Sequence, residues 1–374
     1  MRRMMRNVDT GLLMLILLMV AFGLMMVYSA SFVFAALEYG NASHFFSRQM
    51  IWAVLGLLLF TVVSFIPYQM YGRYIAFFVG LTIFLLVLVL VPGVGLERNY
   101  STRWLGIGPL VFQPSEIAKV VMILYFARAY SKKREYIEDF KNGLLPPLIM
   151  LGAVFFLILA QPDLGTGISI TIACGAILLV SGAKITHLGG LGLVAGSGIA
   201  YLGFSAEYRL ERITSFMDPF ADPQGNGFQL VNSYLAIGTS GFSGEGLGNS
   251  IQKLGYLPEA HTDFIMSIVL EELGVLGLVL VMGMYLIFLL KGFRIFKHAP
   301  SHFGRLLAFG LVVQITFQAI LDMGAISGML PITGITLPLI SYGGTSMVIT
   351  LISLGILMNI SIQSNQFHQQ QAHN

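Results

Sequence analysis

The chain has 374 residues, of which 56% are hydrophobic and 10% charged, with a mean hydropathy of +0.80. A soluble domain carries about 25% charged residues, so a water-soluble globular fold is excluded, and the net charge of +3 matters less than where the charges lie. The one cysteine, Cys174, leaves no disulfide within the chain.

Apolar runs repeatedly reach the ~20 residues that a bilayer-crossing helix needs, and the short alternating segments of a β-barrel do not appear. The expected class is therefore an all-α polytopic membrane protein. Ten spans are predicted, at 10–34, 49–66, 74–91, 114–130, 144–160, 164–182, 187–204, 262–290, 304–325 and 341–363. Basic residues gather before the first span (Arg2, Arg3, Arg6), after the fourth (Arg128, Lys132, Lys133, Arg134, Lys141) and after the eighth (Lys291, Arg294, Lys297, Arg305). The positive-inside rule makes these segments, and both termini, cytoplasmic.

Two substantial segments then face outside, 92–113 and 205–261. The second carries Arg209, Glu211, Arg212, Asp218, Asp222, Glu245 and Glu259, and is rich in glycine but also in aromatic and aliphatic residues. That mixture predicts a folded, membrane-hugging loop and not a linker. The expected organisation is one transmembrane domain over 1–363 followed by a disordered polar tail, 364–374. No internal repeat supports an inverted-repeat transporter.

Between the last two spans, Ile326 to Ser346 carries no charge but contains Pro331, Pro338 and four glycines. Such a segment cannot be one regular helix. At membrane depth it survives only if buried in protein or lining a wet cavity, so a re-entrant or surface-lying outer segment is predicted, with a plain outer loop as the alternative.

Ionisable residues within spans are functional candidates because burying them costs roughly 3 kcal/mol or more. They are Glu116 and Lys119 in span four, Glu271 and Glu272 in span eight, and Asp322 near the outer end of span nine. Pro114 and Glu116 suit a helix start, and Lys119 lies on the same face, three residues on. That pair reads either as a structural lock or as part of a cationic outer site joined by Arg103. Asp163 fits an N-cap for span six. Asp263 falls in the predicted first turn of span eight, where it reads either as a cap or as a general base; His261 or Thr262 could cap in its place. Partial burial at the membrane's edge would raise the proton affinity of such a carboxylate. No Walker loop, metal spacing among the seven histidines, or basic-aromatic patch points to nucleotide, a His-held metal or nucleic acid. A lone divalent cation, Mg or Mn, at outer carboxylates including Asp263 stays open.

The motifs "FQPSEIAK" (112–119), "QPDLGT" (161–166), "YLPEAHTDFI" (256–265), "EELG" (271–274) and "GITLPLISYGGTS" (334–346) together resemble the SEDS family of shape, elongation, division and sporulation proteins. The segments "YRLERITSFMDPFADPQGNGFQL" and "IQKLGYLPEAHTDFI" are most similar to its division branch. The resemblance implies an inverting peptidoglycan glycosyltransferase that polymerises lipid II on the outer face of the bacterial cytoplasmic membrane, at the septum. It implies Asp263 as the catalytic residue, and Arg103, Glu116 and Lys119 as substrate-binding groups. Asp163, His261, Thr262, Ser341, Gly343 and Gly344 fall in secondary positions of the matching motifs. A cognate class B penicillin-binding protein (a transpeptidase) and other division proteins are the implied partners. Asn232 and Thr239 depart from the family pattern, which touches loop contacts and not the chemistry. Two rival readings are a lipid II flippase, with polar groups at several depths, and a non-catalytic division scaffold.

Overall fold

In this computed structural model residues 7–98, 101–107, 110–133, 136–205 and 207–373 are described; Arg2, Arg3, Arg6 and Arg134 of the sequence reading lie outside them. The apolar runs become helices with recognisable ends. Helix α1 (Thr10–Tyr39) starts at Asp9, whose carboxylate accepts the Leu12 amide at 2.9 Å and pairs with Lys291 at 3.0 Å. Helix α2 (His44–Phe65) leads through the short α3 (Tyr68–Arg73) to α4 (Ile75–Val89). Helix α5 (Pro114–Lys132) has proline in its first turn, and α6 (Leu145–Leu159) is entered through a wide turn at Phe140–Leu144. Helices α7 (Leu164–Val180) and α8 (Ile185–Phe204) follow. The outer loop then folds into α9 (Glu207–Met217) and α10 (Phe228–Thr239), before α11 (Ile265–His298), α12 (His302–Ile326) and α13 (Gly344–His373).

Seven of the helical segments are long and apolar enough to cross a membrane on those grounds alone, and α4 and α7 are shorter apolar helices. With α5 they make the ten predicted spans. An even number of crossings returns the last helix to the side of the first, where the basic clusters lie.

The helical class holds, and three details add to it or change. The first is that the segment before α5 forms a small antiparallel sheet, β1 (Gly95–Arg98), β2 (Ser101–Ile107) and β3 (Leu110–Phe112), in that order. Its β-branched and aromatic residues, such as Thr102, Trp104 and Val111, suit a pleated surface. The second is the tail, where α13 runs on to His373. Its Gln363 side chain bonds Gln69, Ser364 donates to the His298 carbonyl, and Asn365 donates to the Asn7 carbonyl, so neighbouring segments hold the helix past the membrane. The third is the start of span eight: α11 begins at Ile265, and Asp263 stands in the turn before it.

Helix α12 packs against α5, α7 and α11, while α13 runs along α2. Phe126, Phe264 and Phe288 lie fully buried between them. Helix α8 contrasts with this core, since none of its residues is buried. The segment between α12 and α13 is irregular, as its prolines predict, and its second half is buried at Ile335 and from Leu337 to Ser341. It crosses α1 so closely at Gly23 that a Cβ there would stand 2.3 Å from the Leu339 carbonyl oxygen and 2.7 Å from the Ile340 Cα. Backbone cannot give way as a side-chain tip can, so Gly23→Ala is expected to cost about 1–3 kcal/mol, read as a drop in the melting temperature of the detergent-solubilised protein.

Candidate active site on the outer face

The site grows from the outer ends of β2, α7, α9 and α11. Arg103 projects from β2. Its Nε donates to the Gln161 carbonyl at 3.0 Å, a terminal nitrogen donates to the Pro162 carbonyl, and another lies 3.9 Å from the Asp163 carboxylate. Asp163 caps α7 as expected, accepting the Thr166 amide at 3.3 Å. It also accepts from the Gln113 side-chain amide at 3.0 Å and the Ser115 hydroxyl at 3.2 Å. The guanidinium is thus held in one orientation by two carbonyls and an acid, yet keeps part of its surface open.

That open surface borders a cavity of about 610 Å³, lined by Arg103, Pro162, Glu211, Arg212, Gln229, Pro258 and Ile332 among others. Arg212 comes from α9, so the outer loop brings a second cation over the first. The size suits a bound headgroup.

Asp263 does not itself line this cavity but lies near enough to feel the charges of Arg212 and Arg103, which do. It is half-buried in the turn Pro258–Phe264, which closes with the Thr262 and Phe264 amides donating to the Glu259 carbonyl. Capping does not explain its place. The residue flanking α11 is Phe264, with no side-chain cap. Thr262 donates instead to the Glu259 carbonyl and carboxylate. His261 sits among the rings of Phe34, Phe45 and Tyr342, and its carbonyl accepts the Tyr342 amide at 2.9 Å. Burial lowers the proton affinity of that imidazole, against the pull of Glu259.

Burial, then the Glu259 charge, pushes the Asp263 carboxyl up from 3.8 to about 7, with Asp163 adding a little. Arg212 and Arg103 act in the opposite direction. The result is a carboxylate whose affinity for a proton is matched to neutral pH, the property a general base needs.

The other sequence candidates lie deeper or serve the frame. Glu116 and Lys119 form a buried pair at 2.9 Å, and the ammonium donates to the Gln318 side chain at 3.0 Å. Gln318 in turn donates to the Thr336 carbonyl at 2.8 Å, so the pair braces the irregular segment and does not line the cavity. Ser341 accepts the Leu337 amide, while its carbonyl and the Gly343 amide bond Gln49 on α2; Gly344 opens α13. These motif residues fasten the same segment, whose Gly334 faces the Asp263 carboxylate, so that a Cβ there would stand 3.6 Å from its Oδ2. Asp322 is buried at 2% exposure with neither oxygen hydrogen-bonded. Glu271 and Glu272 line no part of the cavity. Arg212 is the functional candidate that the sequence reading did not single out.

No ready-made protein cage for a divalent cation is present among the described residues; an ion shared between a carboxylate and substrate phosphates needs none. Among the described residues no three His, Cys, Asp or Glu side chains converge. Of the nearby acids, Asp163 already serves an amide, a hydroxyl, a side-chain amide and Arg103, and Glu259 accepts from Thr262.

The fold and site define a multi-pass helical membrane protein with a carboxylate near a cavity bordered by two arginines. Comparison with known proteins gives that class its family. The pattern described as cell cycle protein, for FtsW, RodA and SpoVE, matches residues 9–366, and the chain belongs to this family. It is 41% identical over 360 residues to the probable peptidoglycan glycosyltransferase FtsW of Geobacter sp. (strain M18), covering 96% of this chain and 98% of the relative. It is also 41% identical over 353 residues to stage V sporulation protein E of Bacillus subtilis (strain 168), covering 94% and 96%. Among solved structures, a chain of a peptidoglycan synthase complex that coordinates polymerization and crosslinking superposes with a TM-score of 0.79, at 31% identity and over 96% of this chain and 98% of that one. Thermus thermophilus rod shape determining protein RodA superposes at 0.69, with 28% identity over 95% and 96%.

Proposed function

We propose that this chain, a peptidoglycan glycosyltransferase, extends glycan strands from lipid II with Asp263 as its general base. The observation that carries the assignment is the half-buried Asp263 carboxylate, proton affinity near neutrality, near a cavity bordered by two arginines. A sugar hydroxyl is far too weak an acid to ionise at pH 7, so its attack needs a base within about 3 Å. The acceptor's 4-hydroxyl oxygen forms a bond to the donor's anomeric carbon as its proton passes to Asp263. The bond from that carbon to the polyprenyl pyrophosphate breaks, and one displacement inverts the centre. The charge that builds on the leaving pyrophosphate is met by Arg103 and Arg212, pre-aimed across the cavity. Lys119, an attractive cation by sequence, is occupied by Glu116 and Gln318. No step in this reading is routed through Mg or Mn, since Arg103 and Arg212 already supply positive charge for the pyrophosphate.

The family relatives and the complex-bound structural neighbour support pairing with a class B transpeptidase and other division proteins, at the septum of the bacterial cytoplasmic membrane. Of the deeper charged groups, Lys119 is held by Glu116 and Gln318, and Glu272 by Lys253 and Ser29, which disfavours a flippase path through those two points.

The test is a gel assay with the purified protein, its cognate transpeptidase and labelled lipid II. Glycan polymer from wild type, and none from a folded, partner-bound Asp263→Asn variant, is expected. Equal polymer from both would remove Asp263 from catalysis. None from an intact wild-type preparation would favour the flippase or the scaffold.

A further inference from the structure

Helix α11 is broken where Gly274 adopts φ 65° and ψ −153°, a conformation open in practice to glycine alone. The break lies about 13 Å along the helix from its outer end at 1.5 Å per residue. Backbone groups around it lose their helical partners and must find others if they are to stay away from water.

The loop after α10 supplies both kinds. The Glu245 and Gly246 amides donate to the Glu271 and Glu272 carbonyls at 2.9 and 3.0 Å, and the Val275 and Leu276 amides donate to the Gly241 and Phe242 carbonyls at 3.4 Å each. The loop is spliced into the helix like a short strand.

Side chains lock the splice. The Glu271 carboxylate accepts from the Ser250 hydroxyl and from the Ile251 and Gln252 amides, holding the next turn of the loop. Glu272 takes the Lys253 ammonium at 2.6 Å and the Ser29 hydroxyl of α1 at 2.6 and 2.8 Å. Lys253 also stands 4.7 Å from the centre of the Phe32 ring on α1. The ion pair is sealed, with side chains 1% and 0% exposed. The two adjacent acids therefore fasten one loop, Glu271 through the loop's backbone amides and Glu272 to another span.

Asp263 lies on the arc between Lys253 and Gly274, so both ends of that arc meet at the clamp. We propose that Lys253 and Glu272, with Ser29, are positioning residues for the proposed base, holding the arc against α1 at the height where Arg103 and Arg212 face it. This rests on the glycosyltransferase reading with Asp263 as base. A base displaced by about 1 Å loses on the order of 100-fold in rate while substrate binding elsewhere is unaffected. The clamp therefore acts on kcat and not on KM.

Removing one partner of a buried ion pair strands the other charge, whereas neutralising both often leaves stability nearly unchanged. The informative variant is therefore the double change Lys253→Met with Glu272→Gln, studied in the complex with the transpeptidase. Hydrogen exchange of residues 241–253 and lipid II kinetics are read on the same preparation. The expected result is faster exchange in 241–253, a kcat lower by roughly 10–100-fold, and KM within about twofold. Ser29→Ala, which leaves the ion pair in place, is expected to give a smaller fall of about threefold in kcat, as for loss of a modest hydrogen bond. It also serves if the double variant does not fold. Lys253→Arg, which keeps the charge, is expected to retain most of the rate.

Faster exchange with wild-type kcat would overturn the proposal, as would a kcat loss with unchanged exchange or a change confined to KM. A wild-type complex that makes no polymer would sink the glycosyltransferase reading instead. The exchange arm would still show whether the clamp holds the loop.

Discussion

Asp263→Asn is expected to lower lipid II polymerisation by roughly 10²–10⁴-fold, the span typical for loss of a positioned general base. Asn keeps the shape and removes the proton acceptor, so KM should change little. The wild-type rate should also depend on pH in a defined direction. The folded protein holds the Asp263 proton up to about pH 7, so the base is blocked below that value and free above it. Rate against pH should rise through neutrality and level off by about pH 8–9, one to two units above that midpoint.

Stability should move the opposite way. A carboxyl whose proton affinity is raised by folding stabilises the fold while protonated, and that contribution fades as pH climbs from about 4 through 7. The Asn variant should therefore melt higher than wild type at pH 8 and equally at pH 4. A flat wild-type rate profile between pH 5.5 and 8.5, with Asp263→Asn retaining over a tenth of the rate, would exclude Asp263 as the base.

The spans were legible because bilayer thickness sets a length that composition alone reveals. Even the shorter α4 and α7 declared themselves. The irregular segment after α12 was legible too, since Pro331 and Pro338 forbid a helix through it. What escaped were features decided by distant contacts. Asp263 read as helical because "DFIMSIVLEEL" continues without a breaker, but Glu259 adopts a left-handed φ of 55° and its carbonyl takes the Phe264 amide, closing a turn before the helix starts.

The function of Glu271 and Glu272 was equally hidden, because their partners are a loop 19–21 residues away and Ser29 at the other end of the chain. The family motif pointed to Asp263 and Arg103, and the structure brings them close enough for the Arg103 charge to act on the Asp263 carboxyl. Arg212 was one of several charges in a long loop without periodicity. A clue lay in "EYRLERITSF", which can place a basic residue on one face of a short helix, but only the packing of α9 shows which way that face turns.

Arg212→Gln is expected to reduce polymerisation by about 10²-fold, comparable to the loss of one pre-aimed donor in other charge-stabilising sites. The effect should fall on kcat, because pyrophosphate charge grows as the bond to the anomeric carbon breaks. Arg103→Gln should act similarly, though there the Gln161 and Pro162 carbonyls and Asp163 would also lose a donor, so part of its loss would come from the frame. Arg212 gives the cleaner reading.

It also carries a second signature that a purely structural residue would lack. Its positive charge is the largest factor holding down the proton affinity of Asp263, so removing it should move the rising limb of the pH–rate profile to higher pH. Raising the pH would then restore part of the lost rate, but only the part due to the base. The remainder, still missing on the alkaline plateau, measures the contribution to the leaving group. A variant whose whole deficit vanished at high pH would show that Arg212 acts through Asp263 alone. One whose profile kept its midpoint would show that the two groups are not electrostatically coupled during the reaction.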